Sequence, residues 1–166
     1  DIPEYASSLA DSYSSLGVGL LDIGQTDEAI KLYNKAIVIR EQLIRNHPDV
    51  QLYGFFLAKI YNNLGIALVA TGQPDQAIES HNKAILIKKK LANGYPSVPK
   101  YAVSLARSYS SLGVTLRDIG QTDEAIELYD KAIVIEIQLV KDHPSVPLYA
   151  SSLASTYSRL GLSFVD

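Results

Sequence analysis

The sequence predicts an all-α solenoid built from antiparallel helix pairs, and three observations carry that expectation. The first is repetition. The stretch from Tyr13 to Ile39, YSSLGVGLLDIGQTDEAIKLYNKAIVI, returns at Tyr61 and Tyr109 and begins again at Tyr157, each time 48 residues on. Self-similarity at a fixed period marks a stacked architecture in which each unit buries its apolar face against its neighbours. The second is periodicity: Tyr5, Leu9, Tyr13, Leu16 and Leu20 recur in steps of three and four, the one-sided stripe of an amphipathic helix. The third is punctuation, since glycine and proline bound segments of helical length at matching places in successive units.

Taken in order, Pro3 suits a first helical turn, where its missing N–H is no loss. The first helix is expected to run to about Ile23, with Gly24 as its stop. Thr26 is expected to cap the second helix, with Asp27 and Glu28 favoured at the positive end of its dipole. Adjacent helical residues do not face each other, so these two are read as helix-start residues rather than a catalytic pair. Ala29, Ile30, Tyr33, Ala36, Ile37 and Leu43 form the buried stripe. The helix ends near His47 and Pro48, because the residue before a proline is pushed out of helical geometry.

The second unit repeats the plan, with Tyr53, Leu57, Tyr61, Leu64 and Leu68 leading to Gly72. Pro74 opens its partner helix, which passes Ala77, Ile78, His81, Ala84 and Ile85 towards Gly94 and Pro96. The third unit runs from Pro99 to Pro144, and Pro147 opens a last helix carrying Tyr149, Leu153, Tyr157 and Leu160. The chain therefore reads as one array of units 1–48, 49–96 and 97–144, with a partial fourth unit or capping helix at 145–166. The first and third units share 34 of 48 positions and the first and second only 20, so the central unit is the divergent one. Recent duplication and partial design towards a consensus both explain this. Gly17, Gly65, Gly113 and Gly161 sit inside helices, where each costs about 1 kcal/mol relative to alanine. Close packing of the paired helix is the expected reason, with Ala29 and Ala36 as the small residues opposite.

Composition narrows the function classes. Apolar residues make up 47% of the 166, enough for a continuous core, and the net charge of −3 argues against a binder of phosphate backbones. No apolar run approaches the length of a membrane span, so neither nucleic acid nor membrane is expected as a partner. Without cysteine there is no disulfide framework and no thiolate metal site. The start does not resemble a secretory leader, and a cytoplasmic location is the expectation. Opening at Asp1 and ending inside a helical pattern, the chain reads as a fragment of a longer array.

Tyr13, Leu16-Gly17, Leu20, Gly24, Ala29, Tyr33 and Ala36, with their equivalents in units two and three, resemble the tetratricopeptide repeat. The usual repeat has about 34 residues. Here the helices are extended at both ends, and the closing proline is delayed to Pro48, Pro96 and Pro144. Longer units of this kind also resemble the repeats of kinesin light chains and arrays attached to bacterial signalling proteins. The resemblance implies a right-handed superhelix whose concave face is lined by the first helix of each unit. It also implies a non-enzymatic scaffold that holds a peptide or helix of another protein. Transferring the family's groove pattern gives four rows: Asp11, Lys59, Arg107 and Ser155; Ser14, Asn62, Ser110 and Ser158; Ser15, Asn63, Ser111 and Arg159; and the aliphatic Val18, Ile66, Val114 and Leu162.

Asn62 and Asn63 each donate and accept, as pairing with the main chain of an extended ligand requires, and Lys59 and Arg107 favour an acidic one. Any exposed helix face needs polar residues, and that plainer reading stands beside the functional one. The carboxylate clamp of chaperone-binding relatives is not reproduced: of Ser14, Val18, Asn63, Arg107 and Ser111, only Asn63 and Arg107 fit. His47 and His143 precede prolines at helix ends, and His81 takes the place of Tyr33 and Tyr129. No catalytic residue, cofactor or metal is expected. The run Lys88-Lys89-Lys90 reads as a solvated face, with an acidic partner or a neighbouring unit as the alternative. The alternative function is end-to-end self-association, with Leu160, Phe164 and Val165 at the exposed end.

Overall fold

The structure, a computed structural model, describes residues 2–164, in which seven helices and no strand are found. They are α1 (Ile2–Asp22), α2 (Thr26–Asn46), α3 (Gln51–Ala70), α4 (Pro74–Gly94), α5 (Pro99–Asp118), α6 (Thr122–Asp142) and α7 (Pro147–Leu162). Val165 lies outside the described residues. The chain divides into two compact units, Asp1–Ile87 and Lys88–Asp166, the division falling within α4.

The turn after the first helix of each pair follows from its glycine. Gly24, Gly72 and Gly120 have φ of 79°, 73° and 84°, the left-handed region that side chains avoid. In the first turn the Gln25 N–H donates to the Leu20 carbonyl at 2.8 Å and the Gly24 N–H to that of Leu21 at 3.0 Å. This is the Schellman pattern, which satisfies carbonyls that the helix end would orphan. Thr26 is not the cap expected of it. It lies inside α2, and Gln25 holds the N-cap position without a side-chain bond, the same arrangement as Gln121 before α6.

In the first unit α2 packs against both α1 and α3. Its core joins Ala29, Tyr33, Ala36 and Ile37 of α2 to Leu57, Ile60, Tyr61, Leu64 and Leu68 of α3. The helix α3 is apolar enough and long enough to cross a bilayer by composition, with half of that window buried. Its apolar surplus is the core of this unit, buried at Leu57, Ile60, Leu64 and Leu68. In the second unit α6 packs against α5 and α7, burying Tyr101, Leu105, Leu112 and Leu116 with Ala125, Tyr129, Ala132 and Ile133.

For Gly17, Gly65 and Gly113 the nearest neighbour of an added Cβ is an aromatic ring and not Ala29, Ala36 or their equivalents, and for Gly161 nothing lies within 4 Å. A Cβ on Gly17 would lie 2.7 Å from Tyr33 Cε1, one on Gly113 2.7 Å from Tyr129 Cε1, and one on Gly65 2.7 Å from the His81 ring. The alanines are fully buried as expected, yet the ring one turn along the stripe fills the space that the glycine vacates. The hydroxyls of Tyr33 and Tyr129 have no hydrogen-bond partner. Burial, with Asp22 nearby, pushes the Tyr33 hydroxyl up to about 12. An orphaned buried hydroxyl costs about 1–3 kcal/mol. Tyr129→Phe is therefore expected to leave thermal stability unchanged or to raise it by about 1 kcal/mol. A melting point lowered by more than a few degrees would show that the hydroxyl is satisfied.

Candidate functional site

In the first unit the residues expected to line a binding face do share α1 and α3, two adjacent helices. Lys59 and Ile66 are exposed on α3, Val18 is exposed on α1, and Ser14 and Asn63 are half-buried. Asn62 departs from the expectation. Only 7% of it is exposed, and its Oδ1 sits 3.3 Å from Nδ1 of the buried His81. The imidazole that stands at position 81 in place of a tyrosine brings a polar ring atom to this buried position, and Asn62 pairs with it. Asn62 is thus part of the core network, and Asn63 is the asparagine of this face that solvent reaches.

Asp11 is also engaged. Arg40 Nη2 donates to Asp11 Oδ1, and Arg40 Nη1 donates to Ser7 Oγ at 2.8 Å. The guanidinium is fully buried, 5.0 Å from the Phe56 ring centroid and 5.8 Å from that of Tyr53. Aromatic faces and a carboxylate together replace the water it has lost.

In the second unit Arg107, Ser110, Ser111 and Val114 lie along α5, and Arg159 rises from α7. Arg159 Nη1 donates to Ser110 Oγ at 2.7 Å. Ser110 is therefore buried beneath this bond rather than offered to a ligand, while Arg107 is exposed and Ser111 and Val114 half-buried. A cavity of about 130 Å³ opens between α5 and α7, walled by Arg107, Ser110, Ser155 and Arg159, with Glu136 of α6 as one of its linings.

Glu136 was not anticipated, nor were its counterparts. Positions 40, 88 and 136 are equivalent in the repeat, and all three hold buried charged residues: Arg40, Lys88 and Glu136. Lys88 Nζ donates to Ser108 Oγ at 2.6 Å, so one member of the lysine run belongs to the interior and not to a solvated face. The signal was present in the spacing, since Arg40 continues the stripe of Tyr33, Ala36, Ile37 and Leu43 in helical steps. A charge that falls in register with an apolar stripe in three units is a buried charge.

Burial pushes the Glu136 carboxyl above its ordinary value, while hydrogen bonding to Thr156 and the charge of Arg159 pull it down. The folded chain thus holds this proton more tightly than the unfolded chain. The destabilising form is the ionised one: its penalty is absent below the unfolded carboxylate pKa and grows as pH rises through the folded value. Glu136→Gln is expected to melt above the parent at neutral pH, the gap closing as pH falls towards about 4. A gap independent of pH in calorimetry would contradict this.

Among the described residues no cluster of three or more His, Cys, Asp or Glu side chains converges on a metal position. The face offers cations, hydroxyls and amides around open space, the chemistry of recognition by hydrogen bonds and charge.

A tetratricopeptide repeat model matches residues 8–90, and a second tetratricopeptide repeat model matches residues 105–145. Among solved structures the chain is similar to a Podosopora anserina putative kinesin light chain with nearly identical TPR-like repeats. The identity is 24% over 94% of this chain and 68% of that one, with a TM-score of 0.64. It is similar also to BtubC (BKLC) from P. vanneervenii, at 17% identity over 94% of this chain and 60% of that one, TM-score 0.60. A third is the Sgt2 TPR domain from Aspergillus fumigatus, at 22% identity over 92% of this chain and 79% of that one, TM-score 0.51. At these identities the likeness is one of fold. No curated protein matches the sequence.

Proposed function

The chain belongs to the tetratricopeptide repeat family, whose members mediate protein–protein interactions, and we propose from that premise that it is a non-catalytic scaffold for an extended segment of a partner protein. The ligand lies on the first helices of the pairs, along α1 and α3 in one unit and along α5 and α7 in the other. One observation carries the reading: Arg107 and Arg159 stand over a cavity between α5 and α7 that the chain's own side chains leave open. The exposed Lys59 of α3 favours the same class of ligand, and the exposed Val18 and Ile66 offer it apolar contact.

Selection from a random-peptide display library, followed by anisotropy titration of the recovered peptides, tests this. Arg107→Ala, Arg159→Ala and Lys59→Ala are each expected to weaken binding two- to fivefold, about 0.5–1 kcal/mol for a solvent-facing charge. Val134→Ser, on the exposed side of α6, is expected to leave it unchanged. Peptides whose binding follows Val134 and ignores the arginines would place the interaction elsewhere.

A second reading, end-to-end self-association, is favoured by α1. Tyr5, Leu9 and Leu16 are 76%, 45% and 56% exposed, while their equivalents Tyr101, Leu105 and Leu112 are buried. Phe164 is exposed beyond α7, whereas Leu160 is half-buried. Light scattering over a wide concentration range separates the two: a constant mass near 18.1 kDa supports the scaffold, and a rising one supports assembly.

A further inference from the structure

We propose that the cavity between α5, α6 and α7 takes the primary carboxamide of an asparagine or glutamine side chain in the bound segment. The inference rests on the scaffold reading and names what its second unit selects.

The argument begins with two equivalent pairs of positions, 11 with 40 and 107 with 136. In α1 and α2 the pair is Asp11 and Arg40, and it is closed: the carboxylate accepts from the guanidinium, and Ser7 takes further N–H groups. In α5 and α6 the signs are exchanged, Arg107 for the aspartate and Glu136 for the arginine. A mirror-image ion pair would be the expected outcome. It does not form: Glu136 Oε2 has no hydrogen-bond partner although the residue is only 5% exposed, and Arg107 stays on the surface. Between them is the cavity, with both residues in its lining. Buried polar atoms are nearly always satisfied, so an oxygen left without a partner in a residue that lines a cavity points to a partner from outside.

The two walls ask for opposite things. Arg107 and Arg159 present donors only, so the group that enters must accept. Glu136 in its ionised form presents acceptors only, so the same group must also donate. A carboxylate accepts but cannot donate, and it sets a second negative charge beside Glu136 in a desolvated place. A lysine ammonium donates but cannot accept, and it meets two guanidinium groups. A primary carboxamide carries a carbonyl oxygen and an NH2 on one plane and is neutral. The cavity of about 130 Å³ has room for a group of that size.

The library selection described above, read position by position, tests this with the whole chain and with Glu136→Gln and Glu136→Lys. For the parent, one peptide position is expected to be enriched in Asn or Gln roughly tenfold or more over Asp, Glu and Lys, because a site built to hydrogen-bond rejects analogues that leave its groups unpaired. In both variants the preference at that position is expected to move towards Asp and Glu, since a donor then replaces the repelling carboxylate. Glu136→Gln is nearly isosteric, and an unchanged circular dichroism spectrum verifies that it folds. Acidic residues or lysine enriched by the parent, or an amide preference that Glu136→Gln leaves intact, overturns the carboxamide assignment while the scaffold reading stands. Failure of the parent to enrich any peptide sensitive to Arg107→Ala or Arg159→Ala overturns both.

Discussion

Gly113→Ala is expected to lower the melting point by roughly 2–8 °C, while Gly161→Ala, the same change one repeat later, is expected to leave it unchanged or raise it. A Cβ at 113 would stand 2.7 Å from Tyr129 Cε1 and 3.0 Å from Cζ, closer than real Cβ atoms come to a neighbour. The ring cannot move aside cheaply, because Tyr129 is fully buried. Overpacking of this kind costs about 1–3 kcal/mol, which exceeds the gain of about 1 kcal/mol from replacing glycine in a helix. At 161 nothing lies within 4 Å of the new Cβ, so only the gain remains. Parallel thermal melts of the two variants decide the matter. Equal shifts would mean that the ring contact is not what the repeat glycine provides.

The second large effect is an asymmetry within one ion pair. Asp11→Ala is expected to cost about 2–3 kcal/mol, and Arg40→Met much less. Removing the carboxylate leaves a fully buried guanidinium with Ser7 and two aromatic rings but no counter-charge. Breaking a wholly buried pair costs about 3–5 kcal/mol. The estimate is lower here because half of the Asp11 side chain is exposed and water can enter where it stood. Removing the arginine instead frees an aspartate that is already half in water, and methionine fills much of the volume. The double variant Asp11→Ala/Arg40→Met is expected to be more stable than Asp11→Ala alone. Denaturant titration of all three variants measures the coupling, and an additive outcome would dissolve the pair as an energetic unit.

Much of the fold was legible because it rests on patterns that local physics imposes. The 48-residue return, the stripes through Tyr13 and Tyr33 and the stops at Gly24, Gly72 and Gly120 each correspond to an element of the structure. Gln25 at the N-cap shows where such reading stops, since the Schellman turn before it already fixes the chain's direction and the usual side-chain bond is not made. The site was less legible. Arg107 and Arg159, placed by the family's groove pattern, line one cavity, whereas the pairing of Asn62 with the ring of His81 on another helix was not readable from that pattern. Ser110 is likewise claimed by Arg159, 49 residues away. Glu136 escaped because a glutamate in a surface-rich helix reads as solvated until its phase is checked against the apolar stripe.

The buried charge at positions 40, 88 and 136 has a consequence for how an array of near copies finds its own order. Units one and three are alike at 34 of 48 positions, and mis-docking between similar segments is a characteristic failure of repeat chains. A helix α2 settled in the berth of α6 would bring Arg40 under Arg107 and Arg159, a buried cation with cations for company. A helix α6 in the berth of α2 would bring Glu136 beside Asp11, carboxylate against carboxylate. Both exchanges are penalised at the interior, where charge is least forgiving. The three differing side chains act as addresses, and they let segments that share a shape keep separate places.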